Sequence, residues 1–222
     1  MISLSHIDKA QAFRYMGHHG IPDAQMQTLA DTCEQKLLSA VQPRYTYKVC
    51  PLTDTPDGIL CEGTALLLTG QDIRDHLRGC DRVILLCATL SAGADTAIRI
   101  AGAQDVLAGM MTDALASALT EQLCDAAEGE ILSRFPEDYP TWRFSPGYGD
   151  LPLELQGDFL AACAAEKRLG VTLSPGGLCI PTKTVTALIG LSKQPNSKGK
   201  RGCAICNRKA DCPYRAKGVH CS

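Results

Sequence analysis

The spacing of apolar residues in the first part of the chain predicts two helices, then two strands and a third, short helix. The first helix follows Ser5 and ends at Gly17, and the second runs from an N-cap at Asp23 to about Val41 with one apolar face. The two strands are RYTYKVCPL at 44–52 and the ILCEGTALLL stretch, and the short helix covers residues 72–78.

The remainder of the chain predicts further strands and one long helix. Residues 82–88 (RVILLCA) are continuously apolar, which is typical of a buried central strand. Ser91, Gly93 and Asp95 then predict a capped turn that leads into the longest helix of the chain. The three- and four-residue spacing in that helix predicts core positions at Leu107, Met110, Met111, Ala114, Leu115, Ala118 and Leu119.

A last strand is predicted over residues 184–191 (TVTALIGL), with its threonines on the exposed face. After Leu191 the stretch KQPNSKGKRG is polar and has no apolar pattern. The fold class that follows is α+β, with a mixed or antiparallel sheet flanked by helices and a small Cys-rich C-terminal appendage.

Charge divides the chain at the same place. Residues 193–222 contain eight Lys or Arg and one Asp, a charge of +7, whereas the whole chain is −2, which leaves −9 for residues 1–192. We therefore predict one domain over residues 1–192 and a basic tail over residues 193–222.

The composition is that of a globular protein, with 45% hydrophobic and 21% charged residues. The N-terminal segment has no secretory pattern, and the longest weakly polar run, residues 83–94, is short of the ~20 residues of a membrane span. We expect a cytoplasmic protein that does not enter a membrane. Buried, unreactive thiols are then expected at Cys33, Cys50, Cys61, Cys80, Cys87, Cys124, Cys163 and Cys179.

Four more cysteines in the tail have the spacing C-x2-C-x5-C-x8-C, which indicates a metal site; these are Cys203, Cys206, Cys212 and Cys221. Zinc would accept four thiolates, or three together with His220. An iron–sulfur cluster would accept the same ligands, and we favour it because zinc ribbons usually have two CxxC pairs. A tail with free thiols is the alternative.

The stretch WRFSPGYG, residues 142–149, combines groups that suit an amino-acid-like ligand. Arg143 can pair with a carboxylate, and Gly147 lets a ligand approach the backbone closely. The rings of Trp142 and Tyr148 favour a cation such as a sulfonium. A structural Pro-Gly turn with an exposed arginine explains this segment, taken alone, equally well. The sequence lacks GxGxxG, GxxxxGK[ST], HExxH and GxSxG, so no Rossmann-type cofactor site or hydrolytic triad is expected.

Three blocks of the sequence together resemble the S-adenosylmethionine-binding activation domain of cobalamin-dependent methionine synthase. EDYPTWRFSPGYGDLP keeps that family's order of Glu, Tyr, Arg and Pro-Gly-Tyr, DALASALTEQLCD is similar to its helix, and CIPTKTVTALIG to its P-x-x-S-V-S-G strand. The resemblance covers roughly residues 60–192. It implies S-adenosylmethionine-binding residues at Glu137, Arg143, Ser145, Pro146, Gly147 and Tyr148.

This chain departs from the family pattern at two informative places. GDLPLELQ stands where the family has YPACPDH, and Ile189 stands where the family has a tyrosine that follows SVSG. The chain also has no DxHxxG motif for cobalamin. The resemblance therefore implies a free-standing activation domain that acts on cobalamin held by a separate protein.

The function implied by the resemblance is that of an activation subunit. It would bind S-adenosylmethionine and present the methyl group to cobalamin on a partner methionine synthase for reductive reactivation, with a flavodoxin or ferredoxin as the possible electron donor. Two alternatives remain open: reactivation of another corrinoid methyltransferase, and a non-enzymatic Cys-rich module that binds nucleic acid or protein. Nucleic acid is disfavoured because only Tyr214 accompanies the basic residues of the tail.

Overall fold

The computed structural model of the protein describes residues 2–18, 20–195 and 210. The predicted metal ligands Cys203, Cys206, Cys212 and Cys221 lie outside the described residues, and the boundary at residue 192 stays a prediction. The helices are α1 (Lys9–Tyr15), α2 (Ala24–Ala40), α3 (Gln71–Leu77), α4 (Ala92–Gln104), α5 (Val106–Leu132), α6 (Gln156–Ala162) and α7 (Ala165–Leu169). The strands are β1 (Arg44–Thr55), β2 (Gly58–Cys61), β3 (Leu67–Leu68), β4 (Arg82–Thr89), β5 (Tyr139–Pro140), β6 (Thr172–Leu173), β7 (Cys179–Ile180) and β8 (Thr184–Ser192).

Six of these strands form one sheet in the order β3-β2-β1-β4-β8-β5, and β6 and β7 form a separate hairpin. Neighbouring strands in the sheet run antiparallel. The α+β class and the antiparallel sheet flanked by helices are therefore as predicted. Continuously apolar β4 lies in the interior of the sheet and is buried along nearly its whole length, as its sequence predicts.

The described chain divides into two compact units. The first unit comprises residues 2–18, 20–47, 86–134 and 163–186, and the second comprises residues 48–85, 135–162 and 187–195. Strands β1, β4 and β8 contribute residues to both. No helix of the described chain is long and apolar enough to cross a bilayer.

Helix α5 is the centre of the first unit. It packs against α1, α2 and α4, and its buried residues lie on more than one face because neighbouring helices cover it on several sides. The N-cap predicted for α2 is confirmed, since the carboxylate of Asp23 accepts a hydrogen bond from the Met26 amide at 2.8 Å. The first helix begins later than predicted, because Asp8 rather than Ser5 caps it.

The long helix predicted after residue 91 is in fact two helices. Asp105 has extended backbone, and its carboxylate accepts from the Ala108 amide at 2.7 Å, so it ends α4 and caps α5. The core prediction for Leu107 and Met110 is wrong: they are 42% and 55% exposed, on the open face of the first turns of α5, whereas Gly109 and Met111 in the same turns are buried. The later positions, from Met111 to Leu119, are buried as predicted.

The threonines of β8 correct another prediction. Thr186 is 5% exposed, so the face of β8 that carries it is covered rather than open to solvent. The hydroxyl of half-buried Thr184 bonds to the Thr89 hydroxyl at 2.8 Å, so this side chain is satisfied within the first unit. Among the scattered cysteines, Cys80 and Cys179 are half-buried and the other six are buried, close to the expectation of inert thiols.

Gly93 marks the tightest backbone contact of the first unit. A Cβ built there would lie 1.9 Å from the carbonyl oxygen of Ala40, at the end of α2. That atom belongs to the backbone, so it cannot rotate away. The start of α4 can therefore approach the end of α2 only with glycine at this position.

We predict that Gly93→Ala lowers the free energy of unfolding by about 1–3 kcal/mol, because the new methyl group must displace the α2 backbone. Urea unfolding followed by circular dichroism measures the effect. Gly129→Ala is the matched control: a Cβ at this helical site meets nothing within 4 Å, so it should stabilise by about 0.5–1 kcal/mol. Equal effects of the two substitutions would contradict the close contact.

Candidate ligand site at residues 137–151

The segment that carries the predicted ligand residues runs along β8 in the second unit. β5 pairs with the end of β8, the Thr141 amide donates to the Gly190 carbonyl at 2.9 Å, and the Phe144 amide donates to the Leu188 carbonyl at 2.9 Å. Trp142 and Arg143 lie between these last two attachments. The pairing changes register by one residue across them, since Thr141 lies opposite Gly190 and Phe144 lies opposite Leu188.

Thr141 and Gly190 join this segment to β8 through both backbone and side chain. The Gly190 amide donates to the Thr141 hydroxyl at 2.9 Å, and that hydroxyl lies 2.9 Å from Nε2 of His76. A Cβ at Gly190 would come within 2.8 Å of the side chains of Cys80 and Leu77, so a larger residue there would require these side chains to move.

An aromatic cluster explains why the only tryptophan of the chain stands here. The Trp142 ring meets His76 edge-on at 4.7 Å and lies 5.3 Å from Phe144, measured between ring centroids. Phe144 in turn contacts Tyr148 at 6.0 Å. Trp142 is half-buried, so part of its ring packs inside the protein against His76 and Phe144.

A tight turn over residues 145–151 follows the cluster. The Tyr148 amide donates to the Ser145 carbonyl at 3.0 Å, and the Gly147 amide donates to the Leu151 carbonyl at 2.8 Å. Gly147 has φ +88, in the left-handed region that glycine adopts most easily. The Tyr148 side chain is 54% exposed at the tip of this turn.

Asp150 attaches the turn to the N-terminus of α3. Its carboxylate accepts from the amides of Gln71 at 2.6 Å and Asp72 at 3.0 Å. Gly70, which occupies the N-cap position, makes no side-chain hydrogen bond to the helix, so a residue distant in sequence supplies the cap.

Asp138 attaches the other end of the segment. Its side chain is 4% exposed, accepts from Nη2 of Arg82 at 2.8 and 2.9 Å, and lies 2.9 Å from Nζ of Lys193. The hydrogen bond from Lys193, with the Arg82 guanidinium beside it, holds the pKa of this carboxyl below its usual value. The neighbouring Glu137 is exposed.

The six predicted ligand residues therefore lie in one stretch of the second unit, with different degrees of burial. Glu137, Gly147 and Tyr148 are exposed, Arg143 and Ser145 are half-buried, and Pro146 is buried. Ile189, at the position of the family tyrosine, is fully buried. Sequence reasoning missed Asp150 and His76, although the Gly-Asp pair that replaces family residues was a visible signal.

An open cleft lies in the first unit, away from the predicted ligand residues. Residues of α1, α2 and the loop between them line this cleft of about 770 Å³. Its Lys9 ammonium already pairs with Asp31 and Glu34, both at 2.6 Å. None of the predicted ligand residues lines it. Within the described chain, no group of three or more His, Cys, Asp or Glu side chains is arranged to hold a metal ion.

A solved structure of the MetH reactivation domain bound to AdoHcy matches this fold. The TM-score is 0.65 at 18% sequence identity, over 96% of this chain and 82% of that one. The predicted structural resemblance to the activation domain is therefore confirmed at the level of the fold. No family model and no curated protein matches the sequence.

We predict that Asp138→Asn lowers the free energy of unfolding by about 1–3 kcal/mol at neutral pH, because Arg82 and Lys193 lose their shared anion. The pKa of Asp138 is lower in the folded state than in the unfolded state. The stabilisation that its ion pairs give the wild-type protein is therefore complete above the unfolded-state pKa of about 3.9, and it is lost as the pH falls through the folded-state pKa. Urea unfolding between pH 7 and pH 3 measures the difference. Asp57→Asn, an exposed site in the same unit, is the control; a pH-independent difference would argue against the ion pairs.

Proposed function

We propose that this protein binds S-adenosylmethionine at residues 137–148 and presents its methyl group to cobalamin on a partner protein. The observation that carries the proposal is the ordered turn of Arg143 to Tyr148, which combines the activation-domain sequence pattern with the fold of a domain solved with AdoHcy. Neither observation alone identifies a ligand, and together they favour this one.

The groups around the turn fit the three polar parts of the ligand. Arg143 would pair with the ligand carboxylate, and exposed Glu137 would attract the ammonium. Tyr148 offers an exposed ring face for the sulfonium. At Gly147, even an added Cβ would meet only Leu153 Cδ1, at 3.6 Å, so the backbone there is open to a ligand.

The task of these residues is orientation rather than acid–base or nucleophilic chemistry. Cobalamin on the partner would supply the cobalt nucleophile that accepts the methyl group. The turn would hold the sulfonium so that its methyl group faces the docked partner. A fixed turn suits this role, because a small displacement of the methyl group would cost much of the rate.

The proposed partner is the cobalamin-binding subunit of a methionine synthase, and another corrinoid methyltransferase is the alternative. A flavodoxin or ferredoxin would supply the electron, and the +7 charge of residues 193–222 would favour such an acidic donor. Reactivation assays with each cobalamin protein distinguish the partners. Metal binding by Cys203, Cys206, Cys212 and Cys221 remains part of the proposal, with an iron–sulfur cluster favoured over zinc.

We predict that S-adenosylmethionine binds with one ligand per chain in isothermal titration calorimetry. Arg143→Lys should weaken binding by about 1–3 kcal/mol with the fold intact, because a point charge replaces the planar guanidinium. Arg99→Lys, on an exposed part of α4 in the other unit, is the charge-matched control. The absence of heat at millimolar ligand would reject the proposed function, and unchanged affinity in Arg143→Lys would reject the assigned role of Arg143.

A further inference from the structure

Two carboxylates and two glycines connect the candidate turn to α3. A Cβ at Gly70 would lie 2.4 Å from Oδ1 of Asp150, and a Cβ at Gly149 would lie 2.2 Å from Oδ2 of Asp72. Both glycines have positive φ, +120 at Gly70 and +54 at Gly149. Each segment thus places a carboxylate against a glycine of the other, and we call this arrangement the α3 clasp.

We propose that Asp150 is a positioning residue for S-adenosylmethionine: through the α3 clasp it fixes the turn that holds the ligand. The proposal rests on the proposed function of the turn. Asp150 does not belong to the set of residues expected to touch the ligand. It would act through the backbone of residues 145–149.

The conformation of the start of α3 and the conformation of the turn depend on each other. A helix of seven residues has little intrinsic stability, and its first amides need acceptors from outside the helix. Asp150 supplies acceptors to two of them, and its negative charge also suits the positive end of the helix dipole. Loss of this carboxylate would release the start of α3 and the end of the turn together.

The contacts of His76 form a second link between α3 and the turn. His76, near the end of α3, is buried, contacts Trp142 and Phe144, and lies in hydrogen-bond distance of the Thr141 hydroxyl. Phe144 contacts Tyr148 at the tip. The helix therefore supports the turn at both of its ends.

A fixed turn matters for affinity because binding to a loose one must also order it. Fixing a backbone segment costs conformational entropy for each residue, and this cost is subtracted from the ligand contacts. The clasp would hold residues 145–150 in this conformation before a ligand binds. An intact clasp therefore improves affinity without a contact of its own.

The test uses Asp150→Ala, Asp150→Asn and, as charge-matched control, Asp57→Asn in the full chain. S-adenosylmethionine affinity is measured by calorimetry. We expect at least about tenfold weaker binding for Asp150→Ala, an intermediate loss for Asp150→Asn, whose amide oxygen still accepts a hydrogen bond, and less than about twofold for the control. Gly149→Ala, which disturbs the other contact of the clasp, between Gly149 and Asp72, should resemble Asp150→Ala.

Two further measurements distinguish the positioning role of Asp150 from a general effect on stability. Trp142 is the only tryptophan of the chain, so quenching of its fluorescence by acrylamide reports on the turn, and should increase in Asp150→Ala. Gly93→Ala, in the other unit, serves as a destabilised reference that leaves the turn untouched. Wild-type affinity in Asp150→Ala, or a loss no larger than in Gly93→Ala, would overturn the proposal.

Failure of the proposed function would be distinguishable. If the wild-type protein binds no S-adenosylmethionine, the proposed function and the ligand-positioning role of Asp150 both fail. Fluorescence quenching and hydrogen exchange at the Gln71 and Asp72 amides would then still decide whether the clasp orders the turn. If the wild type binds and Asp150→Ala binds equally well, only the role of Asp150 fails.

Discussion

The candidate site depends on the junction between Thr141 and Gly190. Two hydrogen bonds join these residues, and the same threonine hydroxyl lies beside His76. A Cβ at Gly190 would meet the side chains of Cys80 and Leu77, so glycine lets these groups pack closely beside β8. With the attachment of Phe144 to Leu188, this junction holds Trp142 and Arg143 from both sides.

Two carboxylates with different partners fix the ends of the same segment. Asp138 uses the side chains of Arg82 and Lys193, so its contribution is electrostatic and depends on pH. Asp150 uses backbone amides of α3, so its contribution is a helix cap. Apart from Glu137, which directly precedes Asp138, the groups proposed to meet a ligand lie between these two anchors, where Tyr148 still reaches solvent.

Features set by local pattern could be predicted from the sequence, and features set by distant contacts could not. The cap at Asp23, the buried strand β4 and the location of the turn depend on neighbouring residues, and they occur as expected. The cap that Asp150 provides joins residues 78 and 79 positions apart, which no local pattern reveals. The burial of Thr186 was not predicted for the same reason, because packing of distant residues against the sheet face decides it. Asp105 ends α4 and caps α5 within a continuous apolar pattern, so the spacing of apolar residues alone does not reveal the break between the two helices.

The reciprocal geometry of the α3 clasp constrains how this site can diverge in evolution. Because each carboxylate lies against a glycine of the other segment, a side chain at position 70 or 149 would require Asp150 or Asp72 to move. A chain with alanine at position 150 must cap the start of α3 by other means, because alanine has no side-chain acceptor. Substitutions at positions 149 and 150 should therefore covary with those at positions 70 and 72, so that all four positions change together among related sequences.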